Sequence, residues 1–200
     1  MNNWTYLILC LLIGLLGCGP QPGARYQTWV EEELATGVRH DSLFLGLHFG
    51  MTRDAFVDTC WKLNRRKVIW HGSRHLTVQH HLPEVEPTTQ LNFYPEFTAE
   101  DRIYEMPMLI NRETWAPWLA SASADSLIPE VKAMLLDWYG GHAFEAFQVP
   151  GQPVTYLKID GNRRIAVSRE DEQHVKVVIT DLSATSPASD SPYRLATHIQ

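Results

Sequence analysis

The stretch 155-TYLKIDGNRRIAVSREDEQHVKVVIT-180 decides the architecture. It divides into three short runs, Thr155–Ile159, Arg164–Ser168 and His174–Thr180, separated by Asp160-Gly161-Asn162 and by the charged Arg169-Glu170-Asp171-Glu172. The runs are rich in β-branched residues, which fit a pleated surface, and Asp-Gly is a strong hairpin signal. The stretch therefore predicts a three-stranded antiparallel meander.

Working towards the N-terminus, Leu127–Tyr139 carries Leu127, Val131, Met134, Leu135 and Trp138 at helical spacing. Asp125 or Ser126 is its expected cap, with Pro129 in the first turn and Gly140-Gly141 as the stop. Before it, Thr89–Tyr94 and Arg102–Ile110 read as strands joined by the acidic loop Pro95–Asp101, and Pro107 assigns the second of them to a sheet edge. Lys67–His71 and Leu76–His80 read as a hairpin around Gly72-Ser73-Arg74. A further helix opens at Thr52 and runs through Phe56, Val57, Cys60 and Leu63 to Asn64-Arg65-Arg66, with Asp54 favoured in its first turn by the helix dipole. Leu43–Phe49 reads as the first strand. The order β-α-ββββ-α-βββ predicts an α+β fold, an antiparallel sheet with two helices on one face. It also suggests two α-then-β halves of about 70 residues, a topological likeness with no residue identity behind it.

The 200 residues, 44% hydrophobic and 20% charged, suffice for one well-cored domain, expected at residues 42–182, and exclude disorder, collagen and coiled coil. A formal charge of −6 leaves no basic footprint for phosphate backbones, so nucleic acid is excluded as a partner. The Ser/Ala/Pro-rich residues 183–200 are expected to be a disordered tail.

Leu7–Gly17 is an unbroken apolar run of 11 residues, about 17 Å as a helix against a ~30 Å hydrocarbon core. It is too short to span and has the length of a secretory h-region. Its end, Leu15-Leu16-Gly17-Cys18, resembles the lipobox of bacterial lipoproteins. That resemblance implies a signal peptide at 1–17, cleavage before Cys18, and a diacylglycerol thioether and N-acyl chain, such as palmitate, on Cys18. It implies attachment to a cell-envelope membrane, and Gly19 lacks the aspartate that retains some lipoproteins at the inner membrane, which points to the outer one. The competing reading is an ordinary cleaved signal peptide, or a buried apolar strand, with Cys18 incidental. Residues 18–41, with Gly and Pro at the start and one helical turn around Thr28–Leu34, then read as a tether with an r.m.s. span of roughly 26 Å.

Gly50-Met51-Thr52, with Phe56 after it, resembles the helix opening of small envelope lipoproteins of the outer-membrane assembly type, which are α+β and act by binding partners. The strand, helix and Trp138-Tyr139-Gly140 layout resembles uncharacterised envelope lipoproteins of Gram-negative bacteria. Of three cysteines, the resemblance removes Cys10 with the signal and assigns Cys18 to lipid; Cys60, mid-helix on the Phe56/Leu63 side, reads as a small core residue.

Two constellations could carry function. His71 and His75 would face each other across the Gly72-Ser73-Arg74 turn and could hold two bonds to a metal, with His81 on the same face about 20 Å further and His80 on the other. A metal-dependent envelope hydrolase is therefore the alternative function, against the reading of polar residues on a solvated face. Trp115, Trp118, Tyr94 and Phe97 could line an aromatic cleft for sugar or peptide. The acidic groups Glu96, Glu100 and Asp101, and Glu170-Asp171-Glu172, match no calcium or paired-carboxylate spacing. No Gly-x-Ser-x-Gly, His-Glu-x-x-His, phosphate-cradling or EF-hand motif occurs, so no catalytic residue and no cofactor is assigned. The leading expectation is a lipid-anchored, non-catalytic domain that binds an envelope protein or glycan.

Overall fold

The hairpin at Gly161-Asn162 fixes the second half of the sheet. A computed structural model describes residues 22–72, 77–86, 88–148 and 151–184. Asp160 pairs with Arg163, which leaves Gly161 and Asn162 as a two-residue loop, and Gly161 has φ +54° at the first loop position, as a II′ turn requires. A side chain there would also collide with the Val38 carbonyl 2.3 Å away.

In chain order the strands are β1 (Ile69–His71), β2 (Val78–Leu82), β3 (Thr89–Phe93), β4 (Glu96–Phe97), β5 (Ile103–Arg112), β6 (Glu145–Phe147), β7 (Thr155–Asp160), β8 (Arg163–Arg169) and β9 (Val175–Asp181). The helices are α1 (Pro22–Ala35), α2 (Arg53–Arg65) and α3 (Ala124–Tyr139), the last preceded by a 3₁₀ turn at Ala120–Ala122. Among the described residues the protein is thus mixed α+β and mostly sheet: nine antiparallel strands in the order β1-β2-β3-β5-β9-β8-β7-β6, with β4 pairing β5 off that path. The strands after α2 and those after α3 each lie contiguously, and the two sets meet where β5 pairs β9.

Side-chain alternation divides the interior. Ile165, Val167, Val175, Val177 and Ile179 are fully buried in one cluster with Leu127, Val131 and Leu135 of α3 and with Phe56 of α2. Each such side chain contributes roughly 1.5–3 kcal/mol of burial. Leu157, Ile159 and Ala166 alternate with that set along β7 and β8 and pack instead with Tyr26 of α1. Thr52 caps α2 by accepting from the Ala55 amide at 3.2 Å. Gly50 and Met51 bond with Ile103 and tie that helix opening to β5.

Several expectations are corrected. The tether expected over 18–41 is a docked helix across Pro22–Ala35, because Tyr26, Trp29 and Val30 at i, i+3 and i+4 form an apolar stripe that packs on β6 and β7. Trp29 stacks on Phe147 at 6.1 Å, and Arg25 pairs with Glu145. Leu43–Phe49 is not a strand: Leu45 and Gly46 have positive φ, Leu47 donates to the Phe44 carbonyl, and this turn plugs Leu43, Phe44, Leu47 and Phe49 into the core. β5, with Pro107, is central and not at an edge. On its β3 side the ladder ends at Phe93↔Met108 and β4 takes over at Glu96↔Glu105, so Pro107 faces the break between two partners. Ser123 caps α3, accepting from the Ser126 amide, which puts Pro129 inside the helix beyond its first turn. β6 has no counterpart in the sequence reading. Ser183 is held by Asp181 and Arg39, while residues 185–200, the signal segment and Cys18 lie outside the described residues. Among the described residues no helix is long and apolar enough to cross a membrane.

Candidate functional site

The four aromatic candidates separate into two places. Tyr94 and Phe97 pack edge-on against Phe56 at 5.6 and 6.2 Å, and the Arg53 guanidinium lies 3.9 Å from the Phe97 ring centroid while bonding Asp101 at 2.8 Å. Their rings are occupied in fastening the first turn of α2 to the β3–β5 corner. Trp115 and Trp118 stand on the connection from β5 to α3. Trp115, Pro117, Leu119, Ser123, Arg169 and Glu172 are among the residues lining an open cleft of about 190 Å³. Trp118 beside it is 86% exposed, the most exposed large apolar residue described. Pockets for drug-sized ligands run to roughly 300–1,000 Å³, so this cleft suits a single ring or side chain. Of its charged wall Arg169 is already committed, donating to Asp125 at 3.0 Å and to the Asp171 carbonyl at 3.1 Å, and the Glu172 backbone carbonyl accepts from the Ala124 amide at 2.9 Å.

The position facing His71 is taken by Val78, not His75. The register puts His71 opposite Val78, so the connection spans residues 72–77, and His75 falls outside the described residues. A one-residue change of register also exchanges faces. His80 shares the His71 side, with Nδ1 donating to the Val68 carbonyl at 2.7 Å, and His81 is on the other with Trp70. Among the described residues no group of three or more His, Cys, Asp or Glu is placed to hold a metal ion.

Cys60 packs half-buried against the core, and burial pushes its thiol up to about 11. Little thiolate is therefore present near neutrality. Alkylation of the native protein at pH 8 is expected to run roughly a hundredfold slower than in denaturant, read by mass spectrometry. Equal rates would contradict the core role. Cys60→Ala should cost on the order of 1–2 kcal/mol in a denaturant titration.

The sequence reading missed a charged knot at the β7–β8 turn. Lys158 is 0% exposed and pairs with Asp160. Asp160 accepts from the His142 amide at 2.8 Å, and the His142 ring lies 3.1 Å from Asp160 and 3.3 Å from Glu33. Glu33 reaches across from α1 to accept from the Gly161 amide at 2.8 Å. Asn162 donates to Asp181 at 2.9 Å and to Asp41 at 3.1 Å, and Arg39 bridges the same two carboxylates, holding Asp41 below the usual carboxylate range. Arg163 lies 4.3 Å from the Tyr139 ring centroid, and burial lowers its pKa while raising that of the Tyr139 hydroxyl. A fully buried ammonium cannot meet a substrate, so this arrangement fastens α1, the 38–42 segment and the hairpin together. The available signal was Lys158 at an alternating position in an apolar strand, two residues before Asp160. No protein-family model, curated protein or solved structure matches the chain.

Proposed function

We propose that this is a lipid-anchored protein of the bacterial cell envelope, held by acyl chains on Cys18, whose domain binds a partner or ligand without chemistry. The observation that carries the binding role is the exposed Trp118 beside the Trp115 cleft. A large aromatic surface left in water is what hot spots of recognition use, and the cleft offers room for one inserted group. In this reading α2 and α3 together cover the sheet face opposite α1.

Cys18 precedes the first residue of α1 by four positions, a reach of at most about 14 Å. The anchor therefore brings α1, with the β6–β7 edge beneath it, close to the headgroups, and the opposite edge at β1 points away. One acyl chain binds a membrane marginally and two or more hold it, so the three chains of a bacterial lipoprotein would make attachment permanent.

The test is Cys18→Ser in the producing bacterium. Wild-type protein should sediment with membranes, of which the outer is expected, and label with a palmitate analogue; the variant should lose the label and remain an unprocessed precursor. Labelling or processing that survives the change would refute lipidation. For the binding role, Trp118→Ala should reduce capture of the partner by crosslinking in intact cells without changing the amount of folded protein.

A further inference from the structure

The face of β1, β2, β3 and β5 turned away from α3 has an unusual composition. Trp70 pairs with Gln79, which pairs with Asn92; one step along, His81 pairs with Gln90, which pairs with Asn111. Cross-strand partners share a face, and Gln79 and His81 are two residues apart, so all six side chains project from one side. The other side carries Leu82, Leu91, Phe93 and Ile110 of the core. The four adjoining carboxamides carry no charge at any pH, and each presents both a donor and an acceptor. At its border Lys176 lies 3.5 Å from Glu170, and Glu113 lies 3.1 Å from the His81 ring.

The block deepens inwards. Trp70 at its margin is 41% exposed, Gln79, His81 and Gln90 are half-buried, and Asn92 and Asn111 are 7% and 9% exposed. Asn111 satisfies its amide on the Arg112 carbonyl at 3.0 Å, but the Asn92 side-chain oxygen is buried with no hydrogen-bond partner among the described residues. An orphan acceptor at such depth is costly unless something donates to it. Gly72 lies close against it: a side chain there would fall 3.0 Å from that oxygen and 2.2 Å from the Thr77 hydroxyl. The Trp70 indole is steadied by His81, packed against it at 4.8 Å and 76°.

We propose that Trp70, Gln79, Gln90 and Asn92 form a binding site for a neutral oligosaccharide. Sugar hydroxyls are paired donors and acceptors that match carboxamides, one of them able to donate to the Asn92 oxygen once that side chain turns outward, and the apolar face of a pyranose matches an indole. A peptide backbone could use the same carboxamides, but these project from the sheet face, whereas an added strand would pair with backbone groups at an edge. The site is distinct from the Trp115 cleft and does not depend on the anchor.

The experiment is calorimetric titration of the full chain in detergent with the hexaoses of glucose (β1-4 and α1-4) and of N-acetylglucosamine, and with a glycine-serine hexapeptide as the peptide arm. At least one hexaose should bind, with an affinity unchanged between 50 and 500 mM salt because no charges pair. Trp70→Ala and Asn92→Leu should each weaken it at least tenfold. Asn92→Leu should unfold at no lower denaturant concentration than wild type, which separates a lost ligand contact from a lost fold, and Trp118→Ala should bind as wild type. Absence of hexaose binding, preference for the hexapeptide, or affinity unmoved by Trp70→Ala would each overturn the proposal. Loss confined to Trp118→Ala would move sugar binding to the Trp115 cleft.

Discussion

Asp160→Ala is expected to destabilise the domain by about 3–5 kcal/mol, because it leaves the Lys158 ammonium, 0% exposed, without its counter-charge in a low-dielectric interior. The same change strips an acceptor from the His142 amide and a contact from its ring. Against a typical total stability of 5–15 kcal/mol this is a large fraction. The cause is separable by a double-mutant cycle. In a Lys158→Met background the ammonium is gone, and Asp160→Ala should then cost less by at least about 2 kcal/mol, since replacing both members of a buried pair is far milder than orphaning one. Guanidinium titrations of the four proteins provide the measurement. A penalty of equal size in both backgrounds would mean that Asp160 acts through the His142 loop and not through the ion pair.

Tyr26→Ala should cost about 3–5 kcal/mol, the range for deleting a buried aromatic ring, and the loss should be local. Tyr26 is 2% exposed, sits edge-on to Phe147 at 6.4 Å, and accepts from the buried Arg164 guanidinium through its hydroxyl. Without it α1 keeps Trp29 and its end contacts but loses the centre of its interface with β7. Hydrogen exchange of amides in Pro22–Ala35 should accelerate towards the unprotected rate while those of β8 and β9 stay protected. Tyr26→Phe, which keeps the ring, should retain most of the protection and lose on the order of 1 kcal/mol through the missing hydroxyl. Uniform acceleration across the sheet would show that α1 is part of the global unfolding unit.

What could be read in the sequence follows the range of each signal. The β7–β9 meander, both ends of α2 and the end of α3 are written in local chemistry: a Gly at the hairpin, Thr52 as cap, Gly140 at the stop. Features set by distant partners were not legible. Leu43–Phe49 has strand composition yet folds as a core plug, because turns at Leu45 and Gly46 serve packing against the sheet better than a pleat would. Pro107 argued for an edge because a break between β3 and β4 on its flank cannot be seen one strand at a time. The histidines show the cost of assigning a register from a turn guess. A six-residue connection in place of three moved His71 opposite Val78 and exchanged the faces of His80 and His81. The same register, once known, is what brings four carboxamides together from three strands, a grouping with no footprint in the linear order.

The docking of α1 has a mechanical consequence. If Cys18 carries the proposed lipid anchor, any pull on the domain would enter there and reach α1 within four residues. That helix is fastened near its start by Arg25 to Glu145, along its middle by Tyr26 and Trp29, and near its end by Glu33 to the Gly161 amide. Force applied at the N-terminus is thus spread over several attachments on the β6–β8 side and reaches the β5–β9 seam only after passing through the ladders between them. α1 would then serve as a strain relief, with the exposed Arg25–Glu145 pair the first attachment to be loaded and the central strands the last.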